Sequence, residues 1–328
     1  MRENINILDF TNQGEISRGN FDQQYDNPET VGVGKNSFQI YDVKPNYEKT
    51  EVPVLFGPGF PPNPKLHREN VFNLSNKGRR VIFPYAPHGV DPDNIITDAE
   101  IETIPEVAKA ELRKVAAFLR TIDTKGLEKI NGIGYSEGGL HLITAALLRP
   151  EKFQNIILLD PVGIVGKQSI SSLLMGGARD TLKETKLVKT EIEQAEKEGR
   201  QPNLNERELP LDLKHMLNFL ASRFPAALKE LKAISASDVL EMLAALKEKG
   251  IGVSIIHGAE DKLFPMEKVQ EQVQAKHLDG FYSVKGTHTR FSANPEQYAM
   301  LLDTALSDLE KLKTQRKDES ADVVAEAA

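Results

Sequence analysis

Gly134-Tyr135-Ser136-Glu137-Gly138 fits the pattern G-x-S-x-G, in which a serine sits on a sharp turn from strand to helix. The flanks supply that context, with a strand-like run over 130–134 before it and a helix-like run over 140–148 after it. Small residues suit such a turn because strand and helix can then approach the serine without side-chain clash. A glycine-rich turn carrying a bystander serine has the same local pattern, so the partners decide. A hydroxyl is a weak nucleophile and needs a base, together with an acid that fixes the base's tautomer. Both follow in the order Ser, Asp, His: Asp261 after the strand-like run 252–256, and His288, in Gly-Thr-His, after the run 281–284. The chemistry these types support is attack by Ser136, proton transfer by His288 and orientation of His288 by Asp261.

Two other carboxylates compete for the acid's place. Glu260 is adjacent to Asp261, and Asp160, in LLDPVG, ends an earlier strand-like run. The phrasing G-x-x-D-x-x-x-P, from Gly258 to Pro265, favours Asp261. The remaining histidines have plainer roles. His88, before Gly89, shapes a loop; His257 ends the strand that delivers Asp261; His141 reads as a satisfied core histidine on the helix behind Ser136. His67, His215 and His277 have no ligand spacing. With no cysteine and no H-x-x-x-H pair, the sequence predicts no catalytic metal, no cofactor and no disulfide.

The elements that must position these residues follow from periodicity. VPVLFG, RRVIFPYA, INGIGYS, NIILLDPVG, GVSIIHG and GFYSVKG are short apolar runs ending in Gly or Pro, the pattern of strands buried on both faces of a mainly parallel sheet. Helical periods separate them. Thr103, Pro105 and Glu106 make a capping-box start for a helix reaching Leu119, and Asn294 starts the last long helix. Residues 1–50 are polar and broken, but INILDF and SFQIYDV read as antiparallel edge strands. Residues 164–250 contain no strand-like run; a charged helix over 180–198 is followed by striped segments with Met216, Phe219, Leu220, Phe224, Leu228, Leu231, Leu240 and Leu243. The expected organisation is therefore a core over 1–163 and 251–315, a helical cap inserted over 164–250, and a frayed tail over 316–328.

Composition narrows the partners. The 41 Lys and Arg against 48 Asp and Glu give a formal net charge of −7, which argues against nucleic acid or an anionic membrane surface. The longest apolar runs, at 115–119, 242–246 and 298–302, are far shorter than the ~18 residues that span a bilayer. The first twenty residues have no apolar stretch of the signal-peptide kind, so the expected compartment is the cytoplasm.

Ser136 in its glycine frame, with Asp261 and His288 each following a strand-like run, makes the chain resemble the serine hydrolases of the α/β-hydrolase fold, over about residues 50–312 with the cap interrupting. The resemblance implies an α/β fold with a mainly parallel central sheet flanked by helices, and places the acid and the histidine on the loops after the last two strands. It implies an oxyanion hole made by the backbone N–H of Glu137 and an amide from the loop after VPVLF. That loop commonly reads His-Gly-x, whereas here it is Gly57-Pro58-Gly59-Phe60-Pro61, and Pro58 has no N–H to give. Alignment makes Phe60 the second donor, with Gly59 the alternative. The Glu137 side chain should then point away from the oxyanion, toward the helix N-terminus or a nearby donor. The implied activity is that of a carboxylesterase acting through an acyl-enzyme on a small-molecule ester with an apolar acyl or alkyl group. An amidase or acyltransferase could use the same residues, and a non-catalytic binding member of the fold would need none of them. Serine at 136 argues against dehalogenases and epoxide hydrolases, which use aspartate there. Phe219 and Phe224 are the cap's candidate pocket residues, unless they pack the cap onto the core.

Overall fold

The structure, a computed structural model, describes residues 15–34, 36–200, 222, 224–276 and 278–326. The apolar runs assemble into one eight-stranded sheet: β1 (Glu29–Val33), β2 (Asn36–Val43), β3 (Val54–Gly57), β4 (Val81–Tyr85), β5 (Ile130–Tyr135), β6 (Phe153–Leu159), β7 (Gly252–Gly258) and β8 (Gly280–Val284). Their order is β1-β2-β4-β3-β5-β6-β7-β8. β2 runs antiparallel to both β1 and β4, and every pair from β4 to β8 is parallel. SFQIYDV thus falls in the antiparallel margin of the sheet, as β2, with β1 outermost; INILDF lies outside the described residues.

All six residues of β5 are buried because helices cover both faces of the sheet. One face carries α5 (Leu112–Thr124), α6 (Glu137–Leu148) and α9 (Leu240–Glu248); the other carries α1 (Arg18–Tyr25), α2 (Pro64–Ser75) and α12 (Pro295–Glu326). α3 (Asp98–Glu102) and α4 (Glu106–Lys109) lead into α5, and α7 (Ile170–Lys197) and α8 (Phe224–Ala236) form the described part of the insertion after β6. α10 (Met266–Ala275) joins β7 to β8, and α11 (Arg290–Ala293) precedes α12. Gly57 pairs with Gly134, Gly134 with Leu158, and Leu158 with Ile255, so the C-terminal ends of the central strands line up. The loops leaving them converge at one edge, where open parallel sheets place their ligands.

The structure departs from the sequence reading in three elements. The capping box is Thr97 with Glu100, which starts α3; Pro105 instead precedes α4, and α5 begins only at Leu112. T-x-x-E occurs twice in this stretch, and only the first makes the reciprocal capping bonds. Second, α9 falls within the expected cap but is the crossover helix into β7, with Met242, Leu243 and Leu246 fully buried against the sheet. Third, α12 continues as helix to Glu326, across the segment expected to fray. Its Lys, Glu and Ala content has high helix propensity, and extending an existing helix needs no apolar stripe. No helix among the described residues is long and apolar enough to cross a membrane.

Candidate active site

Ser136 occupies the turn between β5 and α6 with φ 52° and ψ −119°, a conformation costly for any residue with a Cβ. The two glycines make the turn possible. A Cβ on Gly134 would lie 2.5 Å from Gly139 Cα, and one on Gly138 would lie 2.2 Å from Gly57 O. Ser136 Oγ is 3.0 Å from His288 Nε2, and His288 Nδ1 is 3.0 Å from Asp261 Oδ2. Asp261 Oδ1 accepts the amides of Leu263 at 2.6 Å and Phe264 at 2.9 Å, which turns Oδ2 toward the imidazole. The structure therefore brings Ser136, His288 and Asp261 into one hydrogen-bonded line.

The competing carboxylates have other partners. Asp160 Oδ1 accepts the Gly258 amide at 2.8 Å and lies 2.8 Å from His257 Nδ1, while His257 Nε2 faces Phe264 O at 2.8 Å. Glu260 pairs with Lys183 of α7. Burial pulls the His288 pKa down, but Asp261, through charge and hydrogen bond, and then Asp160 and Asp180 outweigh it, raising His288 to about 9. Burial raises the Asp261 carboxyl, and the His288 and His257 imidazoles reverse this to a net lowering.

Glu137 follows Ser136, and its side chain turns into a buried cluster with Glu111, Lys114, His141 and Glu230. Burial raises its carboxyl to about 7 against the opposing pull of Lys114 and His141. Lys114 Nζ lies 3.4 Å from Glu230 Oε1, so α5 and α8 are joined behind the Ser136 turn. His141 is buried as expected but not satisfied: its Nε2 has no hydrogen-bond partner and stands 3.8 Å from Glu111 Oε2. Burial drives its pKa down to about 4.

A cavity of about 370 Å³ opens on Ser136 and His288. Gly59 and Phe60 line it from the loop after β3, Leu173, Leu174 and Ala178 from α7, and Leu231 and Ile234 from α8. Gly59 backs directly onto the nucleophile's turn, since a Cβ there would be 3.2 Å from Ser136 Cβ. Of the two candidate pocket phenylalanines, Phe219 lies outside the described residues. Phe224 is 63 % exposed at the start of α8 and is absent from the cavity wall. Sequence reasoning also passed over Asp180 and Glu184. Both are fully buried on α7 and accept hydrogen bonds from the His288 loop. The available signal was their phase, since they share a helix face with Leu173, Gly176 and Val188, and carboxylates on a buried stripe require donors.

No family model matches the chain. A protein of Mycobacterium phage D29 that carries the name non-heme haloperoxidase is 24% identical over 264 residues, covering 79% of this chain and 89% of that one. Among solved structures, a bromoperoxidase from Bacillus anthracis superposes with a TM-score of 0.58 at 16% identity, over 86% of this chain and 100% of that one. A thermophilic esterase from Thermogutta terrifontis gives 0.55 at 17% identity, over 86% and 99%. The sheet order and these likenesses establish the α/β-hydrolase fold.

Proposed function

We propose that this protein is a carboxylesterase in which Ser136 is the nucleophile, His288 the general base and acid, and Asp261 the residue that orients His288. The carrying observation is the pair of 3.0 Å contacts from Ser136 Oγ to His288 and from His288 to Asp261, opening on an apolar cavity. Ser136 Oγ attacks the ester carbonyl as His288 Nε2 takes its proton. The oxyanion is received by the Glu137 N–H and a second amide, that of Phe60 or of Gly59. His288 then gives the proton to the leaving alkoxide. Water, deprotonated by His288, attacks the acyl-enzyme, and the carboxylic acid leaves as Ser136 regains its proton.

The cavity wall indicates the acyl group. Among the described residues it contains no Lys, Arg, Asp or Glu, and its size suits a small, uncharged, apolar chain. The Glu137 side chain lies in its own cluster with Lys114, which leaves the oxyanion facing amides rather than a carboxylate.

The test is labelling with a fluorophosphonate together with a panel of p-nitrophenyl esters of graded acyl length. Labelling that disappears in Ser136→Ala, with turnover of neutral acyl esters, is the expected result. An absence of both points instead to a non-catalytic binding protein. The name of the phage relative makes halide- and peroxide-dependent oxidation the activity to assay beside them; that oxidation without ester turnover overturns the proposal.

A further inference from the structure

A helix that only walls an acyl cavity has no need of buried carboxylates, yet α7 buries Asp180 and Glu184 completely. Such groups are tolerated only when their oxygens are engaged. Asp180 Oδ1 accepts the backbone N–H of Lys262 at 3.1 Å and that of His288 at 3.1 Å. Its Oδ2 accepts the Thr289 N–H at 3.1 Å and the Thr289 hydroxyl at 3.3 Å. Lys262 follows Asp261, and Thr289 follows His288. One carboxylate thus ties together the two loops that carry the acid and the base. A turn later, Glu184 accepts from Thr287 N at 3.2 Å and Thr287 Oγ1 at 2.8 Å, and pairs with Arg290 Nη1 at 2.8 Å. From the other side Tyr135 Oη donates to His288 O at 3.0 Å.

We propose that Asp180 is a positioning residue for the His288–Asp261 pair, holding both loops in reactive register from the helix that also contacts the acyl group. The inference rests on the esterase reading. The two loops leave β7 and β8, at the edge of the sheet, and the backbone bonds that join them, Ala259 N to Val284 O at 2.8 Å and Glu260 N to Gly286 O at 2.9 Å, precede both functional residues. Beyond them, and apart from the His288–Asp261 bond itself, Asp180 bonds both loops. The groups facing His288 are Asp261 from the loop after β7, Asp160 from the end of β6, Asp180 from α7 and Ser136 from the start of α6. His257 stands behind Asp261, and Glu184 behind Thr287. Asp180 therefore adds negative charge that favours the imidazolium formed during turnover, as well as geometry. The insertion lacks the triad residues and still determines where two of them stand.

Asp180→Asn keeps the shape and one acceptor oxygen but presents an amide N–H toward the Thr289 N–H. The expected result, in enzyme that is folded and labels at Ser136, is a kcat about a hundredfold lower, KM within about threefold, and an acid limb of kcat/KM moved to lower pH. A purely structural role would lower stability and leave the limb in place. Wild-type kcat, or a reduced kcat with an unmoved limb, overturns the proposal. Should the variant fail to fold, hydrogen exchange in the wild-type protein decides. Lys262, His288 and Thr289 amides protected like those within α7 support the clamp, and exchange at the rate of open loops overturns it. A wild-type protein without ester turnover or Ser136 labelling defeats the esterase reading instead, and is recognised before any Asp180 variant is made.

Discussion

Of the carboxylates near His288, Asp261 and Asp160 both follow strands of the sheet, and their partners give them different work. Asp261 accepts from the imidazole, while Asp160 is held by the Gly258 amide beside His257. Ser136→Ala and His288→Ala should each lower kcat about a thousandfold or more, and the double variant should cost little beyond either, because the residues act as one unit. Steady-state kinetics on folded protein checks this. Asp261→Asn should lose orders of magnitude through the wrong imidazole tautomer, whereas Asp160→Asn, which affects His288 only through charge, should lose less; the reverse ranking would reassign the acid. The sign of the pH dependence follows from the raised His288 value of about 9. The imidazole must be neutral to accept the Ser136 proton, so kcat/KM should climb as pH rises through that raised value. Activity on the alkaline side of neutrality should therefore exceed that at neutral pH, a point that a pH–rate profile settles.

At the level of elements, the β5–α6 turn tolerates no added Cβ at Gly134 or Gly138. Gly138→Ala would press on Gly57 O at 2.2 Å, so it should destabilise the fold by at least about 1–3 kcal/mol in denaturant unfolding, with labelling of Ser136 impaired as the turn shifts. Helix α8 offers an internal control for the cavity. Leu231 lines it, and Phe224, two turns earlier, faces solvent. Leu231→Ala should shift acyl-length preference by about 1–3 kcal/mol in kcat/KM, and Phe224→Ala should leave it unchanged, as an ester panel will show. Since α7 both lines the cavity and bonds the His288 loop, a longer acyl chain that fills the cavity should raise kcat more than it lowers KM.

For the molecule as a whole, α12 is held to the sheet by apolar packing and by Arg79, whose side chain is fully buried two residues before β4. Its guanidinium bonds Asp303 at 2.9 Å, Glu310 at 2.7 Å and Ser307 at 3.1 Å, all on α12. Arg79→Met should cost about 2 kcal/mol in thermal or denaturant unfolding, below the ~3–5 kcal/mol of a fully buried broken pair, because both carboxylates keep contact with water.

Short apolar runs ending in glycine predict the parallel strands, and G-x-S-x-G predicts the strained turn at Ser136. Both are legible in one sequence because strand burial and turn geometry are local demands on neighbouring residues. The insertion is legible as helix for the same reason. Its relation to the core is not, since a period of 3.6 says which side chains share a face and nothing of what that face meets. Tertiary packing alone put α9 onto the sheet, turned Phe224 outward, and aimed Asp180 at two loops far from it in the chain. It also settled which carboxylate meets His288. Asp160 and Asp261 both follow apolar strands, and the distance from each to the imidazole depends on how the ends of β6, β7 and β8 stack side by side, a relation that no segment carries alone.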